Sequence, residues 1–204
     1  ASNMAIELCQ AFQIRAPIEA VWAFLLDPKN VVACMPGASL TQVIDEKSFV
    51  GAVKVKVGAV TAQYQGTITY TEIDAAARVV TMLAEGKERG GGTVKGTIVS
   101  RLSSIEGGVV TNVETSSSFD LTGKIVQVGR GMIEGISAQI IKMYVGNVRA
   151  MLEPIAAAAA TAAPGIAAPP PARQESINIV AVVARTLWEG IKGFFKRLFG
   201  QRSS

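Results

Sequence analysis

The sequence predicts an α+β fold in which a curved antiparallel sheet wraps one long helix, and three observations predict it. Between Ile6 and Leu121, apolar and polar residues alternate with a period of two, the mark of strands with one buried and one wet face. From Lys124 to Glu153, Val128, Met132, Ile136, Ile140, Met143 and Tyr144 recur at helical spacing, and Ile133, Ile141 and Val148 widen that stripe. Short glycine-rich links join the later strands at hairpin spacing. A helix with so wide an apolar stripe needs a sheet to lie on, and the preceding segment supplies one. The inside of such a grip need not be filled completely.

Ile6 to Ile14 alternates and reads as the first strand, ended by Ala16-Pro17. Pro17 suits the first turn of a short helix, Ile18 to Leu26, and Asp27-Pro28 stops it and opens a second turn. Asn30 to Gly37 is a small apolar turn closed by Pro36-Gly37, after which strands resume. Phe49, Val53, Val55 and Val57 alternate with Lys54 and Lys56; Tyr64, Ile68 and Tyr70 alternate with glutamines and threonines. Further strands are expected over Arg78 to Ala84, Thr93 to Leu102 and Val109 to Leu121. In the last, Val109, Thr111, Val113, Thr115, Ser117, Phe119 and Leu121 share one face, so that face is partly hydroxylated. Gly129, Gly131 and Gly135 open the long helix, implying either close backbone packing or room for a ligand beneath.

The chain has 204 residues, 49% of them hydrophobic, enough for one domain with a core and an appendage. Ala1 to Asn3 read as a cloning scar, and no secretory signal follows Met4, so a cytoplasmic protein is expected. With no histidine, and two cysteines, Cys9 and Cys34, outside any CxxC spacing, there is no zinc or His-based nucleophile pattern and no disulfide framework. Cys34 reads as a small apolar packer, because nothing near it in sequence favours a thiolate. Gly90-Gly91-Gly92 beside Lys87 and Arg89 lacks the GxxxxGK[ST] pattern and reads as a hairpin, not a phosphate loop.

Charge is unevenly placed. Residues 1–172 contain 14 Lys/Arg and 14 Asp/Glu, whereas residues 173–204 contain 6 and 2. A neutral body with a basic tail speaks against a nucleic-acid partner and for an anionic surface. Residues 154–173 are almost entirely Ala and Pro and read as a semi-rigid linker, although part of the alanine run can prolong the helix. Within 174–200, Ile177, Val180, Val183, Leu187, Trp188, Ile191, Phe194, Phe195 and Leu198 form an apolar helical face. Arg185, Glu189, Lys192 and Lys196 lie opposite, with Arg197 following and residues 201–204 as a tail. The longest uncharged run there, Ser176 to Ala184, is far short of the about 20 residues that span a bilayer, so this helix is expected to lie on a membrane. Packing on another protein is the alternative.

Several segments together resemble a known family. The order of elements is similar to the helix-grip fold of the START and Bet v 1-like superfamily. The run Leu26 to Ala38 (LDPKNVVACMPGA), Gly51 to Gly58 (GAVKVKVG), Tyr64-Gln65-Gly66, and Leu121 to Lys124 followed by Gly129-Arg130-Gly131 resemble the CoxG family of carbon monoxide dehydrogenase accessory proteins. The resemblance spans residues 4–153, the expected ligand-binding domain. It implies a non-enzymatic protein that recruits a molybdenum-containing carbon monoxide dehydrogenase, or a related hydroxylase, to the cytoplasmic face of the membrane. It also implies a carried isoprenoid quinone, menaquinone foremost, and no covalent cofactor or metal. Two alternatives stay open: a pure tether with the cavity packed shut, and a small catalyst.

The expected ligand cavity follows from strand alternation and from that resemblance. It comprises Phe24, Val31, Met35, Phe49, Val53, Val55, Tyr64, Ile68, Tyr70, Met82, Ile98, Val113 and Phe119, with Val128, Met132, Ile136 and Ile140 from the long helix. Val31, Cys34 and Met35 would form a gate at its mouth. By default these residues are simply core. Tyr64 and Tyr70 each need a hydrogen-bond partner if buried, and a ligand carbonyl supplies one.

Overall fold

Alternation of side chains carries directly into strands. The computed structural model describes residues 3–162 and contains one seven-stranded antiparallel sheet. In chain order its strands are β1 (Asn3–Ile14), β2 (Ala38–Val43), β3 (Ser48–Val57), β4 (Val60–Asp74), β5 (Val79–Glu88), β6 (Thr93–Ile105) and β7 (Val110–Thr122). Their spatial order is β1-β7-β6-β5-β4-β3-β2, so β2 to β7 form a meander that returns to pair with β1. The two short helices α1 (Ile18–Leu25) and α2 (Pro28–Cys34) carry the chain from one edge of the sheet to the other. Asp27 joins them: its side chain accepts from the Lys29 N–H at 2.9 Å, and Pro28 follows at the first helical position.

The long helix departs from expectation at its start, and at its far end it continues through part of the alanine run, as the sequence allows. Residues 124–128 form a 3₁₀ turn, and α3 runs from Arg130 to Thr161. The cause is Gly129, whose φ of 88° and ψ of 152° break the helical path while leaving the apolar periodicity of the sequence intact. At the far end Pro154 lies inside the helix. Pro154 and Ala150 are both exposed, so the carbonyl left without an N–H donor is within reach of water. Gly131 and Gly135 are exposed on α3, and nothing lies within 4 Å of a Cβ built on either. They therefore serve neither close packing nor a ligand space beneath the helix. Met132 and Met143, expected in the inward stripe, are 49% and 50% exposed, whereas Val145 and Leu152 are buried. Val109 is also exposed, held out of β7 by the Glu106–Gly108 turn.

α3 lies along β1, the edge strand. Arg130 Nη1 donates to the Ala5 carbonyl (2.7 Å), Arg149 Nε donates to the Gln13 carbonyl (2.9 Å), and the Glu153 carboxylate accepts from the Arg15 N–H (3.0 Å). The free edge of β1 is thereby occupied by side chains of its own helix. Asn147 Nδ2 donates to the Cys34 carbonyl (2.8 Å), tying α3 to α2.

The core is split in two. One cluster, under α1, α2 and the later turns of α3, gathers Ile14, Trp22, Phe24, Phe49, Tyr70, Val80, Leu102, Val113 and Val148. The other, under the 3₁₀ turn and the first turns of α3, gathers Ile6, Val57, Ala62, Tyr64, Ile125 and Ile133. Side chains between them are small: Ala84 pairs with Gly96, and Gly51, Gly66 and Gly86 line up across β3, β4 and β5. A Cβ on Gly66 would stand 2.6 Å from Gly86 Cα and still closer to the Glu85 carbonyl oxygen, so the strands here approach as only glycine permits. The Phe119 ring lies over Gly96 and takes the space a side chain would use.

Candidate functional site

The concave face of the sheet beneath α3 is the candidate site. Inward positions are Phe49, Val53 and Val55 on β3, Tyr64, Ile68 and Tyr70 on β4, and Met82 on β5. Ile98 on β6 and Val113, Ser117 and Phe119 on β7 complete them, consistent with the register of the pairs. In a filled core all of these would be fully buried. Instead Val53, Val55, Ile68, Met82, Ile98, Ser117 and Phe119 are half-buried, as are Ile136, Ile140 and Tyr144 on the opposing helix. Ile98, Phe119 and Ile140 belong to neither core cluster. The middle of the grip is thus apolar, lined by glycines, isoleucines and the Phe119 ring, and less tightly closed than its ends.

Apart from Ile98, Phe119 and Ile140 in the middle and Met132, the expected lining residues separate into three groups. Phe24, Phe49, Tyr70 and Val113 are buried in the cluster under α1 and α2, with Ile68 and Met82 packed on it. Tyr64 is buried in the other cluster, with Val53, Val55, Val128 and Ile136 against it. Val31 and Met35 are half-buried on and just after α2. Met132 is a correction: it follows the break at Gly129, points outward, and its sulfur lies over Gly58 in the β3–β4 turn. Sequence reasoning passes over Ser117 and Tyr144 as lining residues, although the hydroxylated inner face of β7 and the period of α3 both signal them. The residues proposed for the membrane anchor, from Leu187 to Leu198, lie outside the described residues.

The two buried tyrosines differ. Tyr70 Oη donates to the Leu25 carbonyl (3.0 Å), so its hydroxyl is satisfied by α1, and burial with the nearby Asp27 charge pushes its pKa up to about 12. Tyr64 is 8% exposed and its hydroxyl oxygen is buried with no hydrogen-bond partner. Burial, and then the charge of Glu88, push its pKa up, so the phenol keeps its proton and remains a donor. A buried hydroxyl without a partner costs about 1–3 kcal/mol. The sequence pattern treats the two tyrosines alike, and only the contact with Leu25 separates them.

Glu88 faces Tyr64 across β4 and β5. Lys124 Nζ lies 3.0 Å from its carboxylate, and the Gly90 N–H donates to it at 2.8 Å. The hydrogen bond from Lys124 leads the effects that hold its pKa below the ordinary carboxylate value, against the opposing effect of burial. Glu88 is the one carboxylate at the inward positions of β3 to β7, and it is held as a carboxylate in an ion pair. At the other end Cys34 is buried, its thiol pushed up by burial and its sulfur 3.3 Å from Met151 Sδ. Such a thiol packs and does not attack. A separate groove of about 870 Å³ lies over β4 to β6, with Gln63, Gln65, Glu85, Lys87, Arg89 and Lys95 in its lining. These polar side chains do not suit the bulky apolar ligand expected from the sequence; the concave face does.

Comparison with known proteins agrees with this architecture. A conserved protein from Geobacillus kaustophilus is 23% identical, covers 71% of this chain and 93% of its own, and superposes with a TM-score of 0.64. The ZhuI aromatase/cyclase from Streptomyces sp. R1128 is 15% identical over 72% of this chain and 93% of its own (TM-score 0.52). A START superfamily protein from Mycobacterium smegmatis is 8% identical over 73% and 98% (TM-score 0.51). No curated protein sequence matches. The fold is a START/Bet v 1-like helix grip, and residues 11–153 match the family model of the carbon monoxide dehydrogenase protein CoxG. With that match covering most of the chain, the protein belongs to the carbon monoxide dehydrogenase CoxG family.

Proposed function

We propose that this chain is a non-enzymatic carrier of a lipidic quinone, menaquinone foremost, working at the cytoplasmic face of the membrane beside a molybdenum-containing carbon monoxide dehydrogenase. The observation that carries the reading is the buried, partnerless hydroxyl of Tyr64 on an apolar concave face. A quinone offers what that face lacks, a carbonyl oxygen to accept from the phenol, and its ring and isoprenoid chain match the apolar lining. Family membership supplies the partner. The dehydrogenase oxidises carbon monoxide and water to carbon dioxide, and the two electrons and two protons released reduce quinone to quinol. A polyprenyl quinone does not leave a bilayer unaided, and a tethered cavity raises its local encounter rate with the enzyme.

Tyr64→Phe tests the carrier reading. Removing a partnerless hydroxyl is expected to leave the ligand-free protein as stable as before or more so, while quinone binding weakens about five- to tenfold. Thermal melting and titration with a short-chain menaquinone read the two effects. Equal quinone affinity in both proteins would sink the assignment. Tyr70→Phe is the contrast, because that hydroxyl serves Leu25.

The basic segment 174–200 is proposed as the membrane anchor, from its apolar face and its lysines. Deleting residues 173–204 is expected to reduce sedimentation with anionic vesicles at least about tenfold and to leave the melting curve of the remainder in place. Sedimentation left unchanged by the deletion would refute the anchor.

A further inference from the structure

The sheet has a basic outer face. Lys54 and Lys56 on β3, Lys87 on β5 with Arg89 just beyond it, and Lys95 on β6 are all exposed and alternate with the inward residues. Cross-strand pairing brings them together: Lys54 stands opposite Gln63, whose carbonyl accepts from the Arg89 N–H, and Gln65 stands opposite Lys87. Glu85 neutralises Lys95 at 3.0 Å, which leaves a surplus of positive charge around the groove. Residues 1–172 carry equal numbers of acidic and basic residues, so this clustering reflects placement, not composition. Tyr64 and Glu88 contribute to the groove floor, so the face lies back to back with the Tyr64 end of the concave site.

We propose that this face is a second membrane contact, a docking surface for anionic lipid headgroups on the folded domain itself. It rests on the reading above that the chain works at a membrane. Its composition favours a headgroup layer over a protein: stable protein interfaces have an apolar, aromatic-rich core. Here the outward side chains are Lys, Arg, Gln, Thr and Glu, with Ala52 as the apolar exception. Lipid headgroups require charge and no apolar core. Seated on this face, the domain keeps the Tyr64 end of the concave site near the bilayer, with the sheet between them.

The test uses the full chain and vesicles of phosphatidylglycerol and phosphatidylcholine. The triple variant Lys54→Gln, Lys87→Gln, Arg89→Gln is compared with an equal-charge control, Lys29→Gln, Lys47→Gln, Lys142→Gln, also at exposed positions. Each surface cation near an anionic bilayer is worth about fivefold in partition, so the groove variant is expected to lose about tenfold or more and the control far less. Equal losses would show that net charge alone acts and would overturn the proposal. Full vesicle partition combined with lost capture of the dehydrogenase would overturn it in favour of a protein partner. A third variant, Lys192→Gln with Lys196→Gln, separates the two membrane readings. If that variant alone loses binding, the anchor stands and the face falls; if the groove variant alone loses it, the anchor falls and the face stands.

Discussion

Replacing Gly66 with alanine is expected to lower the melting temperature by about 10 °C. The added carbon meets the backbone of β5, at the Glu85 carbonyl oxygen and Gly86 Cα, and neither can rotate away. Relief requires β4 and β5 to separate at the row where Gly51, Gly66 and Gly86 are aligned. Overpacking of this kind costs about 1–3 kcal/mol, and the upper end applies where backbone must move. Gly135→Ala is the matched comparison. Its new methyl meets nothing within 4 Å on an exposed helical position, and the change is expected to stabilise by up to about 1 kcal/mol. Circular-dichroism melting of both variants checks the pair; an unshifted Gly66→Ala curve would refute the close approach of the strands.

Ser117→Trp is expected to abolish quinone uptake while the fold persists. Ser117 faces inward on β7 between Ile98 and Leu8, is half-buried, and belongs to neither core cluster. An indole there fills the middle of the grip and leaves both packed ends alone. Incubation with quinone-loaded vesicles followed by extraction reads the outcome, with melting as the control on folding. Uptake at the level of the parent protein would place the ligand elsewhere. A melting temperature lowered by about 10 °C would mean that the middle is already packed and would favour the pure tether.

Where the sequence and the structure agree, the signal is local. Lys54 and Lys56 between Val53, Val55 and Val57 state both the strand and its inward face, and Asp27-Pro28 states a helix start. β2 is not legible, because Thr41 to Val43 are exposed on an edge strand interrupted by a bulge between Leu40 and Gln42. The start of α3 is set too early by pattern alone, because apolar residues keep the helical period across Gly129 while the backbone there does not. The site shows the same limit. Alternation puts Tyr64 and Tyr70 on one face, yet the orphan hydroxyl of the first and the satisfied hydroxyl of the second depend on α1, a tertiary contact. The glycine row is likewise a matter of register, visible only when β3, β4 and β5 are paired.

The course of α3 along β1 has a mechanical consequence. Ala156 is the last residue of the helix packed on the core, and Ala157 to Thr161 project as an exposed stub of about 7 Å. A pull on the chain beyond residue 162 is therefore delivered along the axis of α3. It loads Arg130, Arg149 and Glu153, spread over the length of β1, together and in shear, instead of peeling them off one after another. A domain tugged by its C-terminal end should yield at higher force than the same domain tugged by β2, the short strand at the opposite rim.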